Sequence, residues 1–175
     1  MTQLLNAEVE EDGQLRPLTR LEVLTYTSMI AGAGNETTTR LIGFIAQMLA
    51  QHPDQRRELV EDQSLIPGAI EETLRYQAPS PVQARYVARD AECYGQRIPE
   101  GSIMLLLNGS ANRDERHYPR GEEFDIHRTG AHLSFGQGLH FCLGSSLARM
   151  QARVATEEML RRWPEWDVDL ANAAM

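Results

Sequence analysis

The stretch Phe135-Gly136-Gln137-Gly138-Leu139-His140-Phe141-Cys142-Leu143-Gly144 decides how this chain is read. Glycines at 136 and 138 permit backbone angles closed to other residues. The segment can therefore fold into a tight loop whose N–H groups turn toward one point. Cys142 sits at that point. An amphipathic run follows it to Trp163 and stops at Pro164, so a helix is expected from about Cys142 to Trp163. A helix N-terminus favours an anion, and a cysteine placed there is stabilised as the thiolate. A lone cysteine in a glycine-rich turn is otherwise a buried structural residue.

Working outward, residues 108–131 are irregular and rich in Asn, Asp, Arg, Gly and His. A loop that long inside a compact domain is usually functional or disordered. Residues 82–107 read as β-structure in three runs, VQARYVARD, AECYGQRI and SIMLLLN, with turns at Gly95 and Pro99-Glu100-Gly101. Ala78-Pro79-Ser80-Pro81 closes a helix expected from about Pro67 to Tyr76. That helix carries Glu72 and Arg75 on one face. Pro53 opens a shorter polar helix, PDQRRELVED.

Further upstream, Thr19 and Glu22 have the spacing of a capping box. Apolar residues then run from Leu21 to Leu49 and stop at His52-Pro53. A continuous helix over 19–51 would be roughly 50 Å long at 1.5 Å per residue. It is apolar over more than one face, so central burial is expected. Gly32, Gly34, Asn35 and Thr37 to Thr39 are poor helix formers, each costing roughly 0.5–1 kcal/mol relative to alanine. A local distortion is expected there. Residues 1–18 are acidic and polar and read as a linker or the end of a preceding helical region. Residues 19–175 are the main body.

The chain has 175 residues, 42% apolar and 24% charged, enough for one soluble domain with a hydrophobic core. All 17 basic residues are arginine, and the net charge is −8. That balance weighs against nucleic acid or an anionic membrane as partner. Cys93 and Cys142 are too far apart to read as a disulfide scaffold, and no paired spacing completes a zinc site. Cys93 reads as an inert strand residue. No signal peptide or membrane span is visible, and a reducing, cytoplasmic setting is expected.

A fixed thiolate beside flat, apolar Phe135 suits the proximal side of a haem. The stretch 135–144 resembles the haem-binding signature of the cytochrome P-450 family, F-G-x-G-x-H-x-C-x-G, at every fixed position. The resemblance implies haem b as cofactor, Cys142 as the iron's axial ligand, and Phe135, Gly136 and Gly144 as parts of its cradle. His140 would reach a propionate, and Arg85 would pair with a propionate from its strand. Ala33-Gly34-Asn35-Glu36-Thr37 is similar to the family's A/G-G-x-D/E-T motif. By that likeness Ala33 and Gly34 let the cofactor approach, Thr37 positions a proton, and Glu36 links it to solvent. Glu72 and Arg75 match the family's E-x-x-R pair, which is tied to a second arginine. The usual P-x-R-F is replaced by Gly121-Glu122-Glu123-Phe124, and Arg128 is the candidate for the missing arginine.

The implied fold is mainly α with a small β region, the C-terminal part of the P-450 fold. The implied activity is monooxygenation of a small organic substrate, with Val82 and its neighbours facing the pocket. Electrons would come from a ferredoxin or flavin-type donor, docking near Arg149 and Arg153. Family members are more than twice this length, so the N-terminal half is itself an expected partner. A truncated, non-catalytic haem-binding fragment is the alternative. A haem-thiolate isomerase or peroxygenase is a third reading, which Glu36-Thr37 disfavours.

Overall fold

The computed structural model describes residues 2–169, 171 and 172. Residues 170 and 173–175 of the main body lie outside them. Residues 1–37 and 38–175 form two compact units.

In the first unit, a short helix α1 (Thr2–Leu5) precedes a hairpin of β1 (Glu8–Glu11) and β2 (Gln14–Pro17). Glu11 pairs with Gln14 across Asp12-Gly13. Both turn residues have positive φ, 53° and 77°, as a two-residue hairpin turn of type I′ requires. The segment read as a linker thus holds a folded hairpin. Arg16 on β2 donates to both Glu11 and Glu22, joining the hairpin to the start of α2 (Arg20–Gln51). The capping box forms as expected. Glu22 Oε2 accepts the Thr19 N–H at 2.7 Å, and Thr19 Oγ1 accepts the Glu22 N–H at 3.2 Å.

Two expectations about α2 are corrected. Leu24, Met29 and Ile30 are each more than half exposed, so central burial does not hold for this part of the helix. An apolar face is buried where a second apolar surface covers it, as happens at Leu41, Ile45, Met48 and Leu49. The helix also runs unbroken through residues 32–39. The threonine hydroxyls absorb their polarity locally, as when Thr37 Oγ1 donates to Ala33 O at 2.7 Å.

The second unit is a helical body. Leu41, Ile45, Met48 and Leu49 fall on one stripe at the end of α2. They join Leu59 of α3 (Pro53–Glu61), Ile66, Ala69, Ile70 and Leu74 of α4 (Ile66–Tyr76), and Ala152 and Leu160 of α6 (Ser145–Arg162) in one core. Phe124 and Ile126 from the irregular segment complete it. Trp166 ties the chain's last described part to this body. Its Nε1–H donates to Ala46 O at 2.9 Å, and the Arg56 guanidinium lies 4.6 Å from its ring centroid.

The β region forms two separate antiparallel pairs. β3 (Gln83–Tyr86) pairs with β6 (Ile103–Leu106), while β4 (Ala91–Cys93) pairs with β5 (Gln96–Ile98) around Tyr94-Gly95. Cys93 is exposed on β4. A single helical turn, α5 (Asn108–Ala111), leads into the irregular segment.

Candidate functional site

The framework behind the cysteine loop is a buried ion-pair network on α4. Glu72 and Arg75 form a fork of two 2.7 Å hydrogen bonds, with side chains 1% and 3% exposed. Charges that deep are tolerable only when every donor and acceptor is used. Here they are. Arg75 also donates to the carbonyls of Asn112, Gly121 and Glu123, using the guanidinium's whole set of N–H groups. Glu72 Oε1 also accepts the Asp125 N–H. Arg128 Nε reaches Glu72 Oε1 at 3.3 Å, and its other nitrogens donate to Pro119, Arg120 and Glu123 carbonyls. Arg128 is therefore the second arginine, despite the altered Gly121-Glu122-Glu123-Phe124 sequence.

Asn112 carries this order into the loop. It is fully buried. Its Oδ1 accepts the Leu133 N–H at 2.8 Å and its Nδ2 donates to Ser134 Oγ at 2.9 Å. Ser134 Oγ in turn donates to Leu74 O on α4. The loop's entrance is thus pinned to the core helix immediately before Phe135.

The loop closes by a hydrogen bond from Cys142 N–H to Phe135 O at 2.8 Å. Gly136 and Gly138 have φ of 70° and 71°, the left-handed region that glycine reaches without strain. Residues 138–140 make one 3₁₀ turn, which holds His140 on the exposed side. The loop therefore brings Phe135, Gly136, His140 and Cys142 together, and Cys142 is half-buried. The helix begins later than expected, at Ser145 with Gly144 as its N-cap. The intervening turn is closed by Ser145 N–H to Cys142 O at 3.2 Å. Cys142 stands ahead of the helix, not in its first turn.

Arg85 is exposed on β3 and donates to Ala84 O. Ala33, Gly34, Glu36 and Thr37 are exposed positions on α2. Val82 lines an open cavity of about 480 Å³ with Phe44, Tyr76, Pro79 and Leu107. Arg149, expected near a donor-docking site, keeps its side chain 39% exposed. It forms a two-bond fork with Glu71 at 2.7 and 2.9 Å, and its guanidinium lies 4.5 Å from the Phe135 ring centroid. Arg153 pairs with Glu157.

A family model described as Cytochrome P-450 matches residues 1–169. The chain belongs to the cytochrome P-450 family. It is 42% identical over 170 residues to Cytochrome P-450 130 of Mycobacterium tuberculosis, covering 96% of this chain and 42% of that protein. It is 38% identical over 165 residues to 6-deoxyerythronolide B hydroxylase of Saccharopolyspora erythraea, covering 94% of this chain and 40% of that protein. Among solved structures, a mutant of P-450 EryK in complex with erythromycin B matches at TM-score 0.91 and 37% identity, over 98% of this chain and 44% of that one. The chain spans about two fifths of the length of the relatives it matches. Its mainly helical fold with small sheets is that of the C-terminal part of a P-450.

Members of the P-450 family bind haem b. The residues of the cysteine loop fit such a group. A half-buried thiol is held by its own backbone against Phe135, and Leu139, Phe141 and Leu143 around it are exposed apolar side chains. A flat, apolar, metal-bearing ligand would use both features. Sequence reading missed Glu71, His132, Ser134 and the full role of Asn112. An acidic residue on a helix and a histidine in a loop are ordinarily solvated, so only the path of the chain reveals their contacts. Among the described residues, no helix is long and apolar enough to cross a membrane.

Proposed function

We propose that this chain is the cysteine-loop part of a haem-thiolate monooxygenase, which inserts one oxygen atom of dioxygen into a small organic substrate. A ferredoxin or flavin-type donor would supply the electrons. The observation that supports the reading best is the closed loop 135–142, in which Phe135 O fixes the backbone of a half-buried, ligand-accessible Cys142. When bound, haem b supplies the dioxygen chemistry, and thiolate ligation favours O–O cleavage.

The chain's own residues would divide the remaining work. Cys142 would hold the iron as thiolate through Sγ. His140 and Arg85 donate to propionates, and the exposure of both side chains leaves them available. Phe135, Gly136 and Gly144 shape the surface around Sγ. Ala33 and Gly34 keep the helix surface low so that a cofactor can approach. Glu36 takes up protons from solvent at its carboxylate, and Thr37 passes them on through Oγ1 after turning away from Ala33 O.

The test is a carbon monoxide difference spectrum of the reduced, haem-supplied chain beside Cys142→Ser. A strongly red-shifted Soret band in the parent, absent from the variant, is the expected result. Soluble parent chain without that band would sink the proposal for these 175 residues.

A further inference from the structure

We infer that Glu71, His132 and Arg149 form a brace that fixes the Phe135 end of the cysteine loop and thereby positions Cys142. Arg149 is then a positioning residue. The inference builds on the haem-thiolate reading of Cys142, but the brace is a property of the chain's own contacts.

Glu71 lies on α4, Arg149 on α6 and His132 at the loop's entrance, so the cluster joins three separate stretches of chain. The Glu71 carboxylate accepts both N–H groups of the Arg149 fork and the Nε2–H of His132 at 3.2 Å. The His132 tautomer follows from its other nitrogen. Nδ1 faces the Ser134 N–H at 3.2 Å, which can only donate. His132 is nearly closed to solvent, with its side chain 4% exposed. Its ring lies 5.7 Å from that of Phe135. The Arg149 guanidinium stacks on the same ring at 4.5 Å, a favourable cation–π distance. Phe135 is therefore held by two members of the cluster, and its carbonyl receives the Cys142 N–H. Burial pushes the Glu71 carboxyl up, but the hydrogen bonds from Arg149 and His132 outweigh it and hold the group at about 2. The hydrogen bonds to Glu71 raise Arg149 in turn. The same guanidinium thus links the acid and the aromatic ring.

The first measurement is hydrogen exchange on the 175-residue chain without haem, for the parent, Glu71→Gln, Arg149→Lys and Arg153→Gln. Charge-assisted hydrogen bonds are strong enough that losing the fork should speed exchange at Phe135 to Cys142 by roughly tenfold. Leu59 and Leu74 amides should keep their protection, and Arg153→Gln should leave the loop unchanged. Loop exchange within twofold of the parent in both Glu71→Gln and Arg149→Lys overturns the brace. If Glu71→Gln loosens the core as well, Arg149→Lys decides: selective loosening of the loop supports the brace, and uniform loosening overturns it.

The second measurement is the carbon monoxide difference spectrum of the same proteins, reduced chemically. The thiolate-type fraction should fall in Glu71→Gln and Arg149→Lys and recover in part in Glu71→Asp. Equal fractions in all of them overturn the link to Cys142. A parent without the thiolate band counts against the haem-thiolate reading, while exchange still judges the brace.

Discussion

Glu71 and Glu72 are neighbours on α4, yet they face different parts of the chain. Glu72 points inward to Arg75 and Arg128, and Glu71 turns toward the cysteine loop. Removing one partner of a buried pair strands the other's charge. Glu72→Ala should therefore lower the unfolding free energy by roughly 3–5 kcal/mol, read from urea melts. A loss under 1 kcal/mol would mean Arg75 and Arg128 find water or other acceptors. Gly121 is a second sensitive point, because an added Cβ would lie 2.3 Å from Arg113 O. Gly121→Ala must move the irregular segment and should cost at least roughly 1–3 kcal/mol. The same melts check it, and an unchanged midpoint would refute the clash. Glu72 and Arg75 were legible through their likeness to the family's E-x-x-R motif, and the same resemblance made Arg128 the candidate for the second arginine. Gly121 and Glu71 were not legible. Their importance depends on which backbone passes close by, and no local pattern records that.

At the scale of elements, the sequence signals that worked were chemical stops and starts. The Thr19/Glu22 box, Pro53 and Pro79 bound α2, α3 and α4 within a residue or two of the structure. The hairpin at 8–17 was missed because its strands are polar on both faces, leaving only the Asp12-Gly13 turn as a signal. α6 starts three residues late because the chain spends Cys142 to Gly144 on a turn that closes at Ser145. The first turns of α2 expose Leu21, Leu24, Met29 and Ile30, so their stability leans on the cap. Thr19→Ala should destabilise this end by about 1 kcal/mol. Hydrogen exchange at residues 20–24 should speed up while amides near Ile45 do not change. Equal protection at 20–24 would show that the Arg16–Glu22 pair holds the helix start unaided.

At the scale of the whole molecule, acid and exposed apolar surface set the limits. Glu71, Glu22 and Asp114 are each held at about 2, against usual values of 4.5, 4.5 and 3.8. For Glu22 and Asp114 the leading cause is the hydrogen bond from an arginine, Arg16 and Arg116 respectively. Each depressed carboxyl adds stability that is complete above its usual value and is lost as pH falls toward 2. Urea midpoints should thus hold near neutrality and drop below about pH 4.5. Glu71→Gln should show a shallower drop, and a parallel curve would mean Glu71 does not contribute. An exposed apolar line points to association. Leu147, Met150 and Val154 repeat at helical spacing on α6, and each is more than half exposed. The opposite face of α6 buries Ala152, Thr156 and Leu160, so the helix has two apolar sides and only one is covered. Apolar patches of that kind bind partners or each other. The chain at micromolar concentration should bind a hydrophobic dye and sediment with a concentration-dependent mass. Leu147→Glu with Val154→Glu should reduce both while leaving the core's urea midpoint in place. A parent chain that stays monomeric and dye-free would mean this face closes on itself in solution.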